Sequence, residues 1–400
     1  MPEKIGVAVV GCGFFAQNHL NAWRDLAKDG VELIAVCDID AAKAKAAAEK
    51  FKVPRWYTDL DELLAKETPG LIDIVTRVET HREQVLKTVA KGIPTIVQKP
   101  FGFDLGDCRA MTLAAKKAGV FLAVHENFRF QAPLRRITEL LRQGVIGTPS
   151  WGRVSFRTDY DIYTGQPYLL NETRFVINDL GVHVCDLARA FLGEVEHVTC
   201  ETQRRNPKAK GEDTATMMMK HTNGAVSMVE CTYGAHRVPD IFPQSLIELE
   251  GPKGSIILYK NFDLEIAVNG KITEEHADAE VLHWAARPWH IIQESVLATN
   301  AHILKALRSG KPADVSAEDN FKTFACCEAA YKSAETGKAV KLEPLQARGK
   351  AQAKPKSRAK VKARAKTKSG PLPKRPAKKA AKKATRKTTA RRSRPKGRSR

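Results

Sequence analysis

The 400-residue chain has eight cysteines but no Cys-x-x-Cys pair, and its histidines fall at no interval that suits a metal. The first absence argues against a structural zinc or a dithiol redox centre, the second against a catalytic zinc, so no metal is expected. Cys12, Cys37, Cys108, Cys185, Cys200, Cys231, Cys326 and Cys327 stand mostly in apolar runs and read as reduced core residues of a cytoplasmic protein. No apolar run approaches the ~20 residues that cross a bilayer, so no membrane is expected. Pro2-Glu3-Lys4 leads straight into a strand, without the apolar stretch of a secretory signal. Acidic residues are absent from Pro344 to Arg400, where 24 of the 66 Lys and Arg lie; the rest of the chain sets 42 basic residues against 45 acidic. The net charge of +21 therefore describes one end and not the nearly neutral body. Residues 343–400 hold too few large apolar side chains to build a core and read as a disordered basic tail. Counterion release would let such a tail hold nucleic acid without sequence preference. It lacks aromatics, which excludes stacking on single strands.

What is present is organised around residues 5–16, IGVAVVGCGFFA. A buried strand of small and β-branched residues runs into Gly11-Cys12-Gly13-Phe14-Phe15-Ala16, which fits the dinucleotide fingerprint G-x-G-x-x-G/A. Gly11 allows the tight turn, Gly13 leaves bare backbone for a pyrophosphate, and Ala16 lets the next helix sit close. The helix start, with Phe14 and Phe15, turns free N–H groups toward the phosphates. Cys12 reads as a small side chain in this loop, although a helix N-terminus can lower a thiol pKa. A second strand over 32–37 ends at Asp38, 22 residues after Ala16. A carboxylate there accepts ribose hydroxyls and repels a 2′-phosphate, which favours NAD over NADP.

Strands at 71–76, 94–98 and 120–124 alternate with helices at 17–28, 41–50, 81–91 and 105–118. Alternation of this kind predicts a doubly wound parallel sheet, the Rossmann arrangement, over residues 1–125. Ligands of such sheets lie beyond the carboxyl ends of the strands. Those ends carry Gly11, Asp38, Thr76, Gln98-Lys99-Pro100 and His125-Glu126-Asn127, with His81 opening the helix after Thr76. From 126 the pattern changes to strands at 151–157, 195–202, 214–221, 225–233, 244–250, 255–259 and 264–268, closed by helices at 291–309 and 317–333. This predicts an α+β domain over 126–342 with a large, open, mostly antiparallel sheet. Within it, Asp179 and His183 lie four apart, on one face of a predicted helix. A carboxylate and an imidazole so placed can share a proton or orient one another.

The fingerprint, the strand-end Gln98-Lys99-Pro100 and the later Asp179-x-x-x-His183 occur in the order that resembles the glucose–fructose oxidoreductase / inositol dehydrogenase (Gfo/Idh/MocA) family, over about residues 4–342. The family usually has Glu-Lys-Pro, so Gln98 removes a charge beside Lys99. The resemblance implies NAD held by Gly11, Gly13, Phe14, Phe15, Asp38, Thr76, His81, Gln98, Lys99 and Asn127. It implies a homodimer or homotetramer formed through the open sheet, and hydride transfer from a C–OH carbon of a sugar or polyol. In such a site His183 is the general base, Lys99 holds the reacting oxygen, and Asp179 orients His183 or takes a substrate hydroxyl; the parts of Asp179 and His183 can be exchanged. Arg129 joins Lys99, Asp179 and His183 on the substrate side of the cleft. The stretches 125–130, 166–169 and 211–216 resemble a subgroup that oxidises the branched aldopentose D-apiose to its lactone. The basic tail and Gln98 motivate a second reading, a non-catalytic NAD-binding sensor or scaffold associated with nucleic acid.

Overall fold

A computed structural model describes residues 4–346 of the protein. Strands β1 (Ile5–Val10), β2 (Val31–Cys37), β3 (Arg55–Tyr57), β4 (Leu71–Ile74), β5 (Thr95–Gln98) and β6 (Leu122–His125) form a six-stranded sheet in the order β3-β2-β1-β4-β5-β6. Every neighbouring pair is parallel. Helices α1 (Ala16–Asp25), α2 (Ala41–Phe51), α3 (Leu60–Lys66), α4 (Val78–Ala90) and α5 (Leu105–Ala118) alternate with the strands. Covered faces explain why these strands read as continuous apolar runs. Leu71, Ile72 and Ile74 are fully buried, each stabilising the fold by roughly 1.5–3 kcal/mol. Helices α2, α3 and α5 are capped by the side chains of Asp40, Asp59 and Asp104, whereas α1 has no side-chain cap. The strand order reverses between β1 and β4, and ligands of such sheets bind beyond the carboxyl ends of the strands at that point.

The second sheet has nine strands. They are β7 (Trp151–Arg157), β8 (Val195–Gln203), β9 (Thr214–His221), β10 (Val226–Thr232), β11 (Leu246–Gly251), β12 (Gly254–Leu258), β13 (Asp263–Val268), β14 (Lys271–His276) and β15 (Val340–Lys341), ordered β14-β13-β12-β11-β7-β10-β9-β8-β15. Apart from the parallel pair β7–β10, its neighbours are antiparallel. Ala215, Met217 and Met219 of β9 are buried while Met218 is exposed, so one sheet face is covered and the other open. The remaining helices are α6 (Ala132–Arg142), the single turn α7 (Ile162–Gly165), α8 (Val182–Leu192), α9 (His290–Ser309) and α10 (Ala317–Thr336).

The last two helices serve both sheets. Ile303 and Leu304 of α9 pack into one core with Leu20 and Trp23 of α1. Phe321 and Phe324 of α10 pack with Phe101 and Met111, while Cys326 and Cys327 of the same helix face Val198 and Cys200. The segment expected to begin a uniform helix before His183 differs: Ile177–Gly181 is a π-helical turn that leads into α8. Residues 343–345, expected to start the tail, are held on α5 by Arg109, whose Nε donates to Leu345 O (3.1 Å) and whose Nη2 donates to Glu343 Oε2 (3.3 Å). The rest of the expected disordered tail lies outside the described residues.

Candidate active site

The glycine loop is shaped for a phosphate. Gly11 has φ +96°, and a Cβ there would meet Val75 O at 2.4 Å. A Cβ on Gly13 would meet nothing within 4 Å, so its missing side chain leaves open space at the uncapped start of α1. Asp38 stands at the end of β2, its Oδ2 accepting from the Cys12 N–H (2.7 Å) and its Oδ1 from the Asp40 N–H (2.9 Å). Each oxygen keeps a second lone pair for a ribose hydroxyl. Thr76 Cγ2 borders Gly11, Phe14 is exposed at the rim, and Phe15 packs edge-on against His19. These residues fit a dinucleotide. Burial and the neighbouring Asp38 push the Cys12 thiol up to about 12, so the helix start does not activate it.

Lys99 follows β5 and reaches across to the second half of the chain. Its Nζ donates to Asp179 Oδ1 and to Asp179 O, both at 3.0 Å. Tyr233, just past β10, donates its O–H to Asp179 Oδ2 (2.7 Å). Burial works to raise the Asp179 carboxyl, but the Lys99 ammonium and the Tyr233 hydroxyl hold it below its ordinary range.

His183 lies in the first turn of α8. Its Nδ1 meets Glu126 Oε1 at 2.5 Å, and its ring lies flat on Phe128, 3.7 Å between centroids. The Phe128 N–H donates to the same Oε1 (3.1 Å). Against the effect of burial, the His183 ring and the Phe128 N–H hold the Glu126 carboxyl below its ordinary range. An ionised Glu126 fixes the tautomer with hydrogen on Nδ1. Nε2, without a hydrogen-bond partner among the described residues, then keeps its lone pair.

Four sequence-based expectations need correction. Asp179 and His183 are not bonded to each other. Between them the backbone leaves a π turn for α8, and Asp179 meets Lys99 and Tyr233 while Glu126 holds His183. Arg129 does not line the cleft: its guanidinium is spent on Asp186 and Asp319, with Asp319 also paired to Arg189. Asn127 is buried and donates to Ser295 Oγ on α9 (2.6 Å). His81 is likewise buried, and its ring joins Thr76 O to Pro100 O and Phe101 O. It braces two cleft loops without facing the cleft. Glu126 and Tyr233 are the residues that reading the sequence left without a part. Glu126 had one signal, a carboxylate placed directly after an apolar strand at the ligand-binding edge; Tyr233 had none.

Beneath the site lies a buried polar floor. His19 Nδ1 donates to Asp73 Oδ2 (2.8 Å), Trp23 Nε1 donates to the same oxygen (2.7 Å), and Gln98 Nε2 lies 3.0 Å from His19 Nε2. The His125 ring lies tilted against His19, 4.1 Å between centroids, and bonds Asn300 Oδ1 through Nε2 (3.0 Å). Burial first, then the His19 ring, lower His125 from 6.5 to about 3, against the opposing pull of Asp73 and Asn300. A histidine whose pKa is depressed by folding supports the fold above its unfolded value and loses that support as the pH falls. About 3 kcal/mol should be gone by roughly pH 4.5, on the way to a total of about 5 near pH 3. Urea unfolding across this range should therefore give a shallower pH slope for His125→Gln than for the parent; parallel slopes would remove His125 as the cause.

Among the described residues no group of three or more His, Cys, Asp or Glu is placed to hold a metal ion. Residues 5–126 match the model of an oxidoreductase family with an NAD-binding Rossmann fold, and residues 134–257 match the Gfo/Idh/MocA C-terminal domain. A D-apiose dehydrogenase of Paraburkholderia graminis is 42% identical over 344 residues, covering 86% of this chain and 91% of its own. The D-apiose dehydrogenase of Rhizobium rhizogenes is 43% identical over 335 residues, covering 84% and 96%. The solved structure of an oxidoreductase from Agrobacterium radiobacter in complex with NAD+, L-tartaric acid and magnesium aligns with a TM-score of 0.83 at 43% identity, over 84% of this chain and 98% of its own. The chain belongs to the Gfo/Idh/MocA family of NAD-binding oxidoreductases.

Proposed function

We propose that the protein oxidises D-apiose at its anomeric carbon, giving the lactone, with NAD as the oxidant. The observation that carries this reading is the meeting of the Lys99 ammonium with Asp179, beside an imidazole whose Nδ1 is fixed by Glu126. The 42–43% identity to two D-apiose dehydrogenases supports the choice of sugar. NAD, when bound, supplies the hydride acceptor. His183 takes the C1 hydroxyl proton at Nε2 and passes it to solvent after turnover. Lys99 steadies the oxygen as it becomes a carbonyl. Asp179 keeps Lys99 in place and accepts from a substrate hydroxyl. The charge of Asp38 favours NAD over NADP. NADH formation across a panel of D-apiose, other aldoses, inositols and linear polyols tests the reading. D-apiose should have the highest kcat/KM; a higher value for an inositol would reject the sugar, and no turnover on any member would reject catalysis.

Met218, Tyr259 and Ile272 are exposed on strands or turns of the second sheet, and we assign the open face to further copies of the chain, as a homodimer or homotetramer. No described helix is long and apolar enough to cross a membrane, and all eight cysteines are free and buried, which supports a reducing, cytoplasmic setting. The 24 Lys and Arg after Glu343 are assigned to non-specific nucleic acid. Deleting residues 347–400 should abolish retention on DNA at low salt and leave NADH formation unchanged; retention that persists would place the nucleic-acid element in the body.

A further inference from the structure

We propose that Asp73, His19 and Gln98 form a positioning relay that fixes the backbone at Lys99, and with it the amine that meets the substrate oxygen. The inference rests on the reading of Lys99 given above. Gln98 is the last residue of β5, and its side chain turns back so that Oε1 accepts the Lys99 N–H at 2.7 Å. An amide can face an N–H only with its oxygen, so its NH2 must face His19 Nε2, 3.0 Å away. That nitrogen is then the acceptor, and the His19 hydrogen lies on Nδ1, where Asp73 Oδ2 takes it at 2.8 Å. Each group in the row determines the next. Asp73 selects the tautomer, the tautomer selects the amide orientation, and the amide orients the peptide from which Lys99 extends.

Several features make the row rigid. His19 and Asp73 are fully buried, Gln98 nearly so, and Trp23 Nε1 donates to Asp73 Oδ2 as well. His125 covers the His19 ring on one side and Phe15 meets its edge. An acceptor lost at His19 Nε2 would free the amide to turn over and bring its NH2 against the Lys99 N–H, donor against donor. Gln98 and His19 act through Lys99 and are positioning residues.

The test compares initial rates and NAD binding in the full chain, with the most active sugar of the panel. An Asn at position 19 can reach Asp73 but not Gln98, whereas a Gln can offer its carbonyl near the place of Nε2. His19→Asn should lower kcat about 10- to 100-fold, the cost of a misplaced reacting group, with NAD affinity unchanged by fluorescence titration. His19→Gln should recover most of that loss. Gln98→Leu should match His19→Asn in kcat, and the double variant should have a kcat no lower than either, because both break the same row. Parental kcat in His19→Asn, no recovery in His19→Gln, or losses that multiply in the double variant would overturn the relay. Should His19→Asn fail to fold, parental kcat in Gln98→Leu overturns it alone. Lys99→Ala is measured in parallel: full activity there would reject the part given to Lys99, a result distinct from an intact Lys99 requirement with an indifferent His19.

Discussion

Turnover by Lys99→Ala should fall on the order of 10³-fold while NAD still binds, because the cation that steadies the developing carbonyl is gone and the glycine loop is untouched. The magnitude follows from geometry. The Lys99 ammonium bridges from the loop after β5 to both the carboxylate and the carbonyl of Asp179, at 3.0 Å each. Side-chain exposure is 20% for both partners, enough for water to soften the loss, so the fold should survive with a cost of about 1–2 kcal/mol. The Asp179 carboxyl, no longer faced by an ammonium, should titrate higher than in the parent. Lys99→Arg restores charge but offers a planar fork where one compact donor sat, and should recover only part of the rate. Steady-state kinetics with an NAD titration separate these outcomes; a Lys99→Ala enzyme with parental kcat would reject the assignment.

Replacement of Glu126 by Gln should cost a comparable factor, also on the order of 10³, without removing any group that touches the sugar. The buried carboxylate accepts the Nδ1 hydrogen of His183 at 2.5 Å and so leaves the lone pair on Nε2. An amide there keeps its oxygen toward the Phe128 N–H and still accepts from Nδ1, but it lacks the negative charge that stabilises the imidazolium formed when His183 takes the proton. The Phe128 N–H and the stacked Phe128 ring keep the imidazole plane in position, so the sugar should still bind and KM should change much less than kcat. His183→Ala removes the base itself and sets the floor for the comparison. A Glu126→Gln enzyme with parental kcat would show that the charge of Glu126 does not support His183 as the base.

The first sheet was legible in the chain because its strands are covered on both faces. Runs such as Val7 to Val10 have no competing reading when Gly11 and Gly13 follow. The second sheet was legible from alternation, as in Ile247-Glu248-Leu249-Glu250, but β14 was not: Lys271 to His276 is the outermost strand of the sheet and is exposed at most positions. The π turn was hidden for a different reason. Ile177-Asn178-Asp179-Leu180-Gly181 gives no local sign of a wider turn, and a Cβ added at Gly181 would lie against Cys231 of β10, a contact with a distant strand that no short-range pattern encodes. Arg129 illustrates the opposite error. Its place after β6 suggested a cleft cation, yet Asp186 and Asp319, 57 and 190 residues away, claim it. Sequence distance says little about which buried carboxylates a guanidinium will find.

In the proposed reaction, the contact between Lys99 and Asp179 would also act as a filter on chemistry. An incoming group that settles between an ammonium and a carboxylate must accept from one and donate to the other, and an alcohol does both with a single atom. An ether, a fluorine or a ketone can answer only the ammonium and leaves Tyr233 as the remaining donor to Asp179, a mismatch that costs more than a lost methylene. Such a site would sort its visitors by their ability to be donor and acceptor at once, before any bond to hydrogen is broken.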